Sequence, residues 1–148
     1  MTRDPRSVVR SHFDYVVSAT TRWSDNDMYG HLNNAVYYEL FDSAINEWLI
    51  SGAGIDVMAL PERGVVAESG CRFFQELEYP GKLDVGVRVE RIGRSSITYA
   101  LGLFSADREH VAALGHWVHV YIDRVSRSPV PVPVAVRAFL GGAEESRG

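Results

Sequence analysis

One stretch of this chain limits the folds open to it. In NNAVYYELFDSAINEWLISG, residues 33–52, the apolar pairs Val36/Tyr37, Leu40/Phe41, Ala44/Ile45 and Trp48/Leu49 return every fourth residue, while Glu39, Asp42, Asn46 and Glu47 take other positions. That period predicts a long amphipathic α-helix with a single apolar stripe. Asn33 or Asn34 can accept from the orphan amides of its first turn, and Gly52 or Gly54 can supply the left-handed residue that stops it. A helix with one apolar stripe needs one apolar surface to cover it.

The remaining segments supply that surface. DYVVSATTRW (14–23) precedes the helix, and VVAESGCRFFQELEY (65–79), KLDVGVRVERI (82–92), SSITYALGLFS (95–105) and HVAALGHWVHVYIDR (110–124) follow it. All are rich in β-branched and aromatic residues, which predicts strands. Alternation is clearest where Val85, Val87 and Val89 interleave with Gly86, Arg88 and Glu90. The links PGK, GR and ADRE have turn chemistry, and links so short join antiparallel neighbours. The expected architecture is α+β, an antiparallel β-sheet wrapped around one long central α-helix.

SRSPVPVPVAVRAFLGG (126–142) carries Pro129, Pro131 and Pro133. It is expected as an extended edge running into a short helical turn, because proline cannot donate within a central strand. No repeat or linker divides the chain. The expected organisation is a mobile lead-in over residues 1–13, a single domain over 14–140 and a flexible tail over 141–148.

Composition narrows the function classes. With 148 residues, 46% of them hydrophobic, the chain can bury one proper core. A formal charge of −4 disfavours nucleic acid as a partner, since neutralising phosphates needs a basic face. A small anionic ligand stays open, because a few local arginines can hold it. Cys71 is the single cysteine, so no internal disulfide or cysteine-based metal site is expected, and a reducing cytoplasm fits best. MTRDPRSVVRSHFDYVV has no uninterrupted apolar segment of signal or membrane-span length, so no membrane association is expected.

Directly ahead of the helix lies the densest polar cluster, Asp25-Asn26-Asp27-Met28-Tyr29-Gly30-His31-Leu32-Asn33-Asn34. Asp25 suits a turn cap and Asn33 a helix cap. With the Tyr-Tyr-containing helix behind it, the run resembles the loop of the hotdog-fold acyl-CoA thioesterases of the 4-hydroxybenzoyl-CoA thioesterase type. The similarity continues through VVAESGCRFFQELEYPGKLDVGVRVERIGRSSITY and WVHVYIDRVSRSPVPVP and covers roughly residues 15–140.

The resemblance implies a hotdog fold and hydrolysis of an acyl-CoA to a free acid and CoA, with no metal and no cofactor beyond the CoA of the substrate. It makes Asp27 the catalytic carboxylate, attacking the thioester carbonyl or activating a water that does. A thioester tolerates so modest a base or nucleophile because its carbonyl is electrophilic and its thiolate leaves readily. By alignment with the family the backbone N–H of Asn34 is the oxyanion donor, at a helix end whose amides and dipole favour negative charge. Gly30 would let the thioester approach closely. His31, in the family's Gly-His pair, would orient the loop or touch the site. Asn33, Tyr29 and Tyr37 are expected at the substrate, and with Tyr38, Phe41, Phe73 and Phe74 the two tyrosines could line an acyl pocket. Glu68 falls where related enzymes place a polar residue near the cleft, and Arg94, Ser95 and Ser96 where relatives pass the pantetheine arm or nucleotide of CoA. The chain departs from many relatives in carrying Asn26 where they have a small residue or threonine. Such subunits pair their sheets edge to edge, so a homodimer or a tetramer is expected.

Other chemistries fit less well. His116 and His119 lie three apart on a predicted strand and would point to opposite faces, which disfavours a shared metal ion. Cys71 inside a strand reads as a small hydrophobe. There is no G-x-S-x-G elbow and no dinucleotide glycine pattern, and the only lysine, Lys82, sits in a turn. A hydratase of the same fold would carry a histidine on the helix, and residues 35–54 hold none. The remaining rival is a hotdog protein that binds acyl-CoA or another apolar ligand without turning it over.

Overall fold

The structure, a computed structural model, describes residues 4–147. Its regular elements are β1 (Tyr15–Thr20), α1 (Asn34–Glu47), β2 (Glu62–Phe73), β3 (Lys82–Ile92), β4 (Ser96–Ser105), β5 (Ala113–Asp123) and α2 (Val134–Arg147). The strands form one five-stranded sheet in the order β1-β3-β4-β5-β2, every neighbouring pair antiparallel. The long 12-residue β2 is therefore an edge.

The stripe read from the sequence is the face that α1 buries: Val36, Tyr37, Phe41, Ala44 and Ile45. A wider π-type turn over Trp48–Gly52 continues it and adds Trp48 and Leu49 to the buried set. Gly54 then takes the left-handed conformation at φ +69°. Opposite the helix, Val85, Val87 and Val89 turn inward as their alternation predicts, and Ile97, Tyr99, Leu101 and Leu103 of β4 join them. A close approach occurs at Gly115 of β5, where an added Cβ would lie 2.6 Å from the Phe41 ring.

Three boundaries differ from expectation. The lead-in over residues 1–13 is not loose where it is described: 3₁₀ turns at Pro5–Ser7 and Arg10–His12 bring Val8 and Phe13 into a second apolar cluster with Phe104 and Val111. The cause is a pair of facing glycines. Gly86 and Gly102 are register partners, and a Cβ on either would lie 2.5 Å from the Phe13 ring, so their bare backbone forms its seat on the outer face. Arg10 locks the segment by donating to Asp84 at 2.9 Å. Residues 1–3 lie outside the described residues.

The second difference is α2, a full helix where a short turn and a tail from residue 141 were expected; residue 148 lies outside the described residues. Val136 and Leu140, one turn apart, are wholly buried, and Phe139 meets Trp48 edge-on at 5.5 Å. Arg137 donates to the carbonyls of Gly93 and Arg94 at 2.6 and 3.1 Å, tying α2 to the β3–β4 turn. Among the described residues the architecture thus has two α-helices of 14 residues each, and α1 becomes the longer only through its π-type continuation to Gly52. Third, β2 begins earlier than expected and ends at Phe73, so Gln75–Tyr79 leave the sheet. Among the described residues no helix is long and apolar enough to cross a membrane.

The contact at Gly115 yields a paired prediction. Gly115→Ala should destabilise the fold by about 1–3 kcal/mol through overpacking against Phe41. Gly70→Ala, on β2 with nothing within 4 Å of the added carbon, should stay within about 0.5 kcal/mol. Urea denaturation of the two variants checks both.

Candidate active site

The loop between β1 and α1 is held by its own polar side chains. Asp25 is buried and accepts from the Arg22 backbone N–H at 2.6 Å and from the Arg22 guanidinium at 2.9 and 3.1 Å. Its carbonyl accepts from Asn33 N–H at 2.8 Å. The cap role read for Asp25 is therefore what its geometry serves. Asn26 accepts from Tyr79 N–H at 2.9 Å through its side-chain oxygen, and Leu32 N–H donates to the Leu77 carbonyl at 2.7 Å. Both bonds pin the loop to the segment that leaves β2. The residue that departs from the relatives' pattern is thus one of the two pins.

Between the pins the chain reverses. Asp27 N–H donates to the His31 carbonyl at 2.9 Å and Gly30 N–H to the Asp27 carbonyl at 3.1 Å. Gly30 makes the reversal at φ +83°, a conformation a side chain would strain. The Asp27 carboxylate accepts from Tyr29 N–H through Oδ1 at 2.9 Å. Its Oδ2 has no partner among the described residues. One oxygen fixes the side chain and the other is available.

At the start of α1 the orphan amides are shared out. Asn33 is the N-cap, accepting from Ala35 N–H through Oδ1 at 2.9 Å, and its carbonyl accepts from Val36 N–H at 2.9 Å. The amide of Asn34 is left without an acceptor among the described residues, in the first turn, where the helix carries roughly half a positive charge.

Asp27, Tyr29, His31, Asn34 and Tyr37 line one cleft of about 650 Å³, together with Leu32 and Phe73–Glu76. His31 is turned toward Glu76, Nε2 to Oε2 3.0 Å. Tyr37 packs edge-on against Phe73 at 4.8 Å, and burial pushes its hydroxyl up to about 12, so it stays protonated. Phe73 is 44% exposed and Tyr29 80% exposed, so the apolar wall of the cleft is open on the β2 side.

Other expected residues lie elsewhere. Phe41 is wholly buried in the core, and Tyr38 packs on Trp117 at 5.6 Å. Glu68 does not reach the cleft; it pairs with His116 Nε2 at 3.2 Å. Arg94, Ser95 and Ser96 are at the far end of β3 from the loop. Thr21 N–H bonds to Gly81 O beside the near end, and 11 residues of β3 separate the two ends, roughly 30 Å at strand rise. There the carbonyls of Arg94 and Ser95 accept from Val132 and Tyr121 N–H, which gives the turn a structural task. Gln75 and Glu76 are cleft residues that the sequence reading missed. Their run, FFQELEY, looks like uninterrupted strand, and only the hydrogen bonds of Phe74 and Gln75 N–H to the Ala112 carbonyl show it turning away.

His116 and His119 do occupy opposite faces, His116 exposed and His119 buried. Cys71 is half-buried against the core, and burial pushes its thiol up to about 11. A protonated thiol is a poor nucleophile.

Comparison with known proteins places the chain in a family. The profile of the Thioesterase-like superfamily matches residues 21–140. No curated protein sequence matches the chain significantly. Among solved structures, the PA5185 protein from Pseudomonas aeruginosa is 38% identical, with a TM-score of 0.86 over 91% of this chain and 94% of that one. PA2801 from the same organism, described as a putative thioesterase, is 26% identical, with a TM-score of 0.79 over 86% and 98%. Slr0204 from Synechocystis, a 1,4-dihydroxy-2-naphthoyl-CoA thioesterase, shares the fold at 14% identity, with a TM-score of 0.80 over 86% and 95%.

The raised thiol gives a direct check on the site. Cys71 should alkylate with iodoacetamide at neutral pH roughly a hundredfold more slowly than a free cysteine, through loss of thiolate. Cys71→Ser should keep full activity in an assay of released CoA thiol.

Proposed function

The chain belongs to the Thioesterase-like superfamily and is a thioester hydrolase, and from that premise we propose that it cleaves an acyl-CoA to the free acid and CoA with Asp27 as its catalytic carboxylate. The observation that carries the proposal is the pairing, on one cleft, of a carboxylate oxygen and a helix-end amide that both lack a partner among the described residues. That pair matches what acyl transfer requires.

The thioester carbonyl enters with its oxygen toward Asn34 N–H. Asp27 Oδ2 either attacks the carbonyl carbon or takes a proton from a water that attacks. In both routes the carbonyl becomes a tetrahedral oxyanion, and Asn34 N–H donates to it from a fixed position that needs no reorganisation. The C–S bond then breaks and CoA leaves as its thiolate. If Asp27 attacked, the resulting anhydride is hydrolysed by water. If it acted as base, the free acid forms at once and the proton on Asp27 passes to the thiolate. His31, held by Glu76, and Gly30 keep the loop in its reversal while this happens.

The open wall at Phe73 and the unpaired edge of β2 support a homodimer joined β2 to β2. A long exposed edge gains from pairing. A two-fold axis across that seam runs the two β2 strands antiparallel, so the β3–β4 turn of a second copy comes to the same end as this chain's loop. In that assembly Arg94, Ser95 and Ser96 keep their expected place beside the CoA arm, on the facing subunit. The Synechocystis structure, a CoA thioesterase by its description, agrees with the leaving group assigned here.

Release of CoA thiol from a panel of acyl-CoAs tests the proposal. Asp27→Asn, which keeps size and removes charge, should lower kcat by roughly 10²–10⁴-fold. Native and variant proteins that bind acyl-CoA yet are equally inactive would refute catalysis. A monomer in light scattering at micromolar concentration would refute the shared site.

A further inference from the structure

Three arginines converge on one wall of the Asp27 cleft. The guanidinium carbon of Arg6 stands 5.1 Å from the centre of the Phe74 ring, and that of Arg72 stands 5.8 Å from it. Arg108 is beside the next residue, Gln75, whose side-chain oxygen faces the guanidinium 2.8 Å from Nε. Arg10, Arg22 and Arg88 are paired with Asp84, Asp25 and Glu90, whereas Arg6, Arg72 and Arg108 form no ion pair among the described residues. In a chain of net charge −4, three such guanidiniums around one aromatic ring make a place suited to an anion.

The fold holds these groups from two directions. Val111 N–H donates to the Val8 carbonyl at 3.0 Å and Phe13 fills its glycine seat, so the lead-in carries Arg6 at a set position. Arg10 donates to the carbonyls of Ser105 and Arg108 at 3.0 and 2.6 Å, which steadies the turn that bears Arg108. Phe74 is fixed by its own N–H on the Ala112 carbonyl at 2.8 Å. Arg6, Phe74, Gln75, Arg108 and His110 thereby line a cavity of about 500 Å³. Glu109 also lines it, and Asp107, whose charge acts on Arg108, commits one oxygen to the Ser105 hydroxyl. Three arginines against two carboxylates leave the place positive.

This cavity and the Asp27 cleft meet within one chain, because Phe74 and Gln75 are walls of both. From the loop the path crosses three backbone neighbours, Leu32 bonded to Leu77, Gln75 to Ala112 and Val111 to Val8. At strand spacing that is roughly 14 Å. The pantetheine arm of CoA, two amide units with short linkers, matches about four residues of extended chain, also about 14 Å. A thioester seated between Asp27 and Asn34 therefore has its phosphates within reach of Arg6 and Arg108.

Resting on the acyl-CoA hydrolase reading, we propose that this cavity holds the phosphate groups of the CoA nucleotide, with Arg6 of the lead-in and Arg108 of the β4–β5 turn as their ligands and Arg72 adding charge from β2. The lead-in is then a limb of the substrate site. Its arginine binds a part of the substrate that does not react.

Thioesters of one acyl group on CoA and on pantetheine test it, because the two share the reacting centre and differ in the nucleotide. The native protein should lose roughly tenfold or more in kcat/KM from CoA to pantetheine, the worth of one or two charge-assisted hydrogen bonds. Arg6→Gln and Arg108→Gln should each raise KM for acyl-CoA by roughly three- to tenfold with kcat within about twofold, since a contact kept throughout the reaction is uniform binding. Turnover of acyl-pantetheine by the same variants should stay within about twofold, which also shows that they fold. A native protein indifferent to the nucleotide, or variants that leave acyl-CoA turnover unchanged or lower both esters alike, overturn the proposal while the hydrolase reading stands. If neither thioester is cleaved, the hydrolase reading fails. Calorimetric titration with adenosine 3′,5′-bisphosphate then decides the cavity alone: binding that weakens in both variants keeps it as a nucleotide site, and absent binding, or binding that neither variant weakens, removes it.

Discussion

Phe41 packs where Gly115 has no side chain, and this contact sets how closely α1 lies against the sheet. Everything at the loop depends on that depth. The helix axis is fixed by its buried stripe, which begins in the first turn with Val36 and Tyr37, so the amide at that end is held at a constant place. The cost of ordering one backbone amide is met by the apolar residues buried along the same element, Val36 through Ile45. A shallower helix would keep its secondary structure and lose its aim.

Two aspartates two residues apart show how environment divides labour. Asp25 is enclosed and spends both oxygens on Arg22, so it acts as a bracket that holds the loop's entry and, through its carbonyl, Asn33. Asp27 stands at the cleft with one oxygen anchored by Tyr29 N–H and the other without a partner among the described residues. A buried carboxylate with both oxygens held by Arg22 is out of reach of a carbonyl carbon, whereas a wholly unanchored one would sample many rotamers. Asp27 has the intermediate arrangement that a positioned nucleophile or base requires.

Much of this was legible in the sequence because it is local. The four-residue return of apolar pairs located α1, the alternation of Val85, Val87 and Val89 oriented β3, and Asn33 announced the cap. What escaped depends on long-range packing. Phe13 binds because Gly86 and Gly102 face each other across two strands, a coincidence that no window of sequence contains. FFQELEY reads as strand to its end, yet Phe74 and Gln75 turn toward Ala112. The segment after the prolines reads as a short helical turn, yet Val136 and Leu140 are wholly buried in the core and Phe139 meets Trp48. Arg94, Ser95 and Ser96 carry the same lesson: inside one chain they build the β3–β4 turn, where Arg94 O accepts from Arg137 and Val132 N–H and Ser95 O from Tyr121 N–H, and their place beside the loop would come only with the proposed second copy.

The central claim is a matter of position, so the most direct measurement is a crystal structure with a non-hydrolysable thioether or methylene-ketone analogue of an acyl-CoA. The account predicts the analogue's carbonyl oxygen about 2.9 Å from Asn34 N, with the Asp27 carboxylate against the carbonyl carbon. A carbonyl oxygen held by other donors, with Asn34 N–H facing solvent, would contradict it.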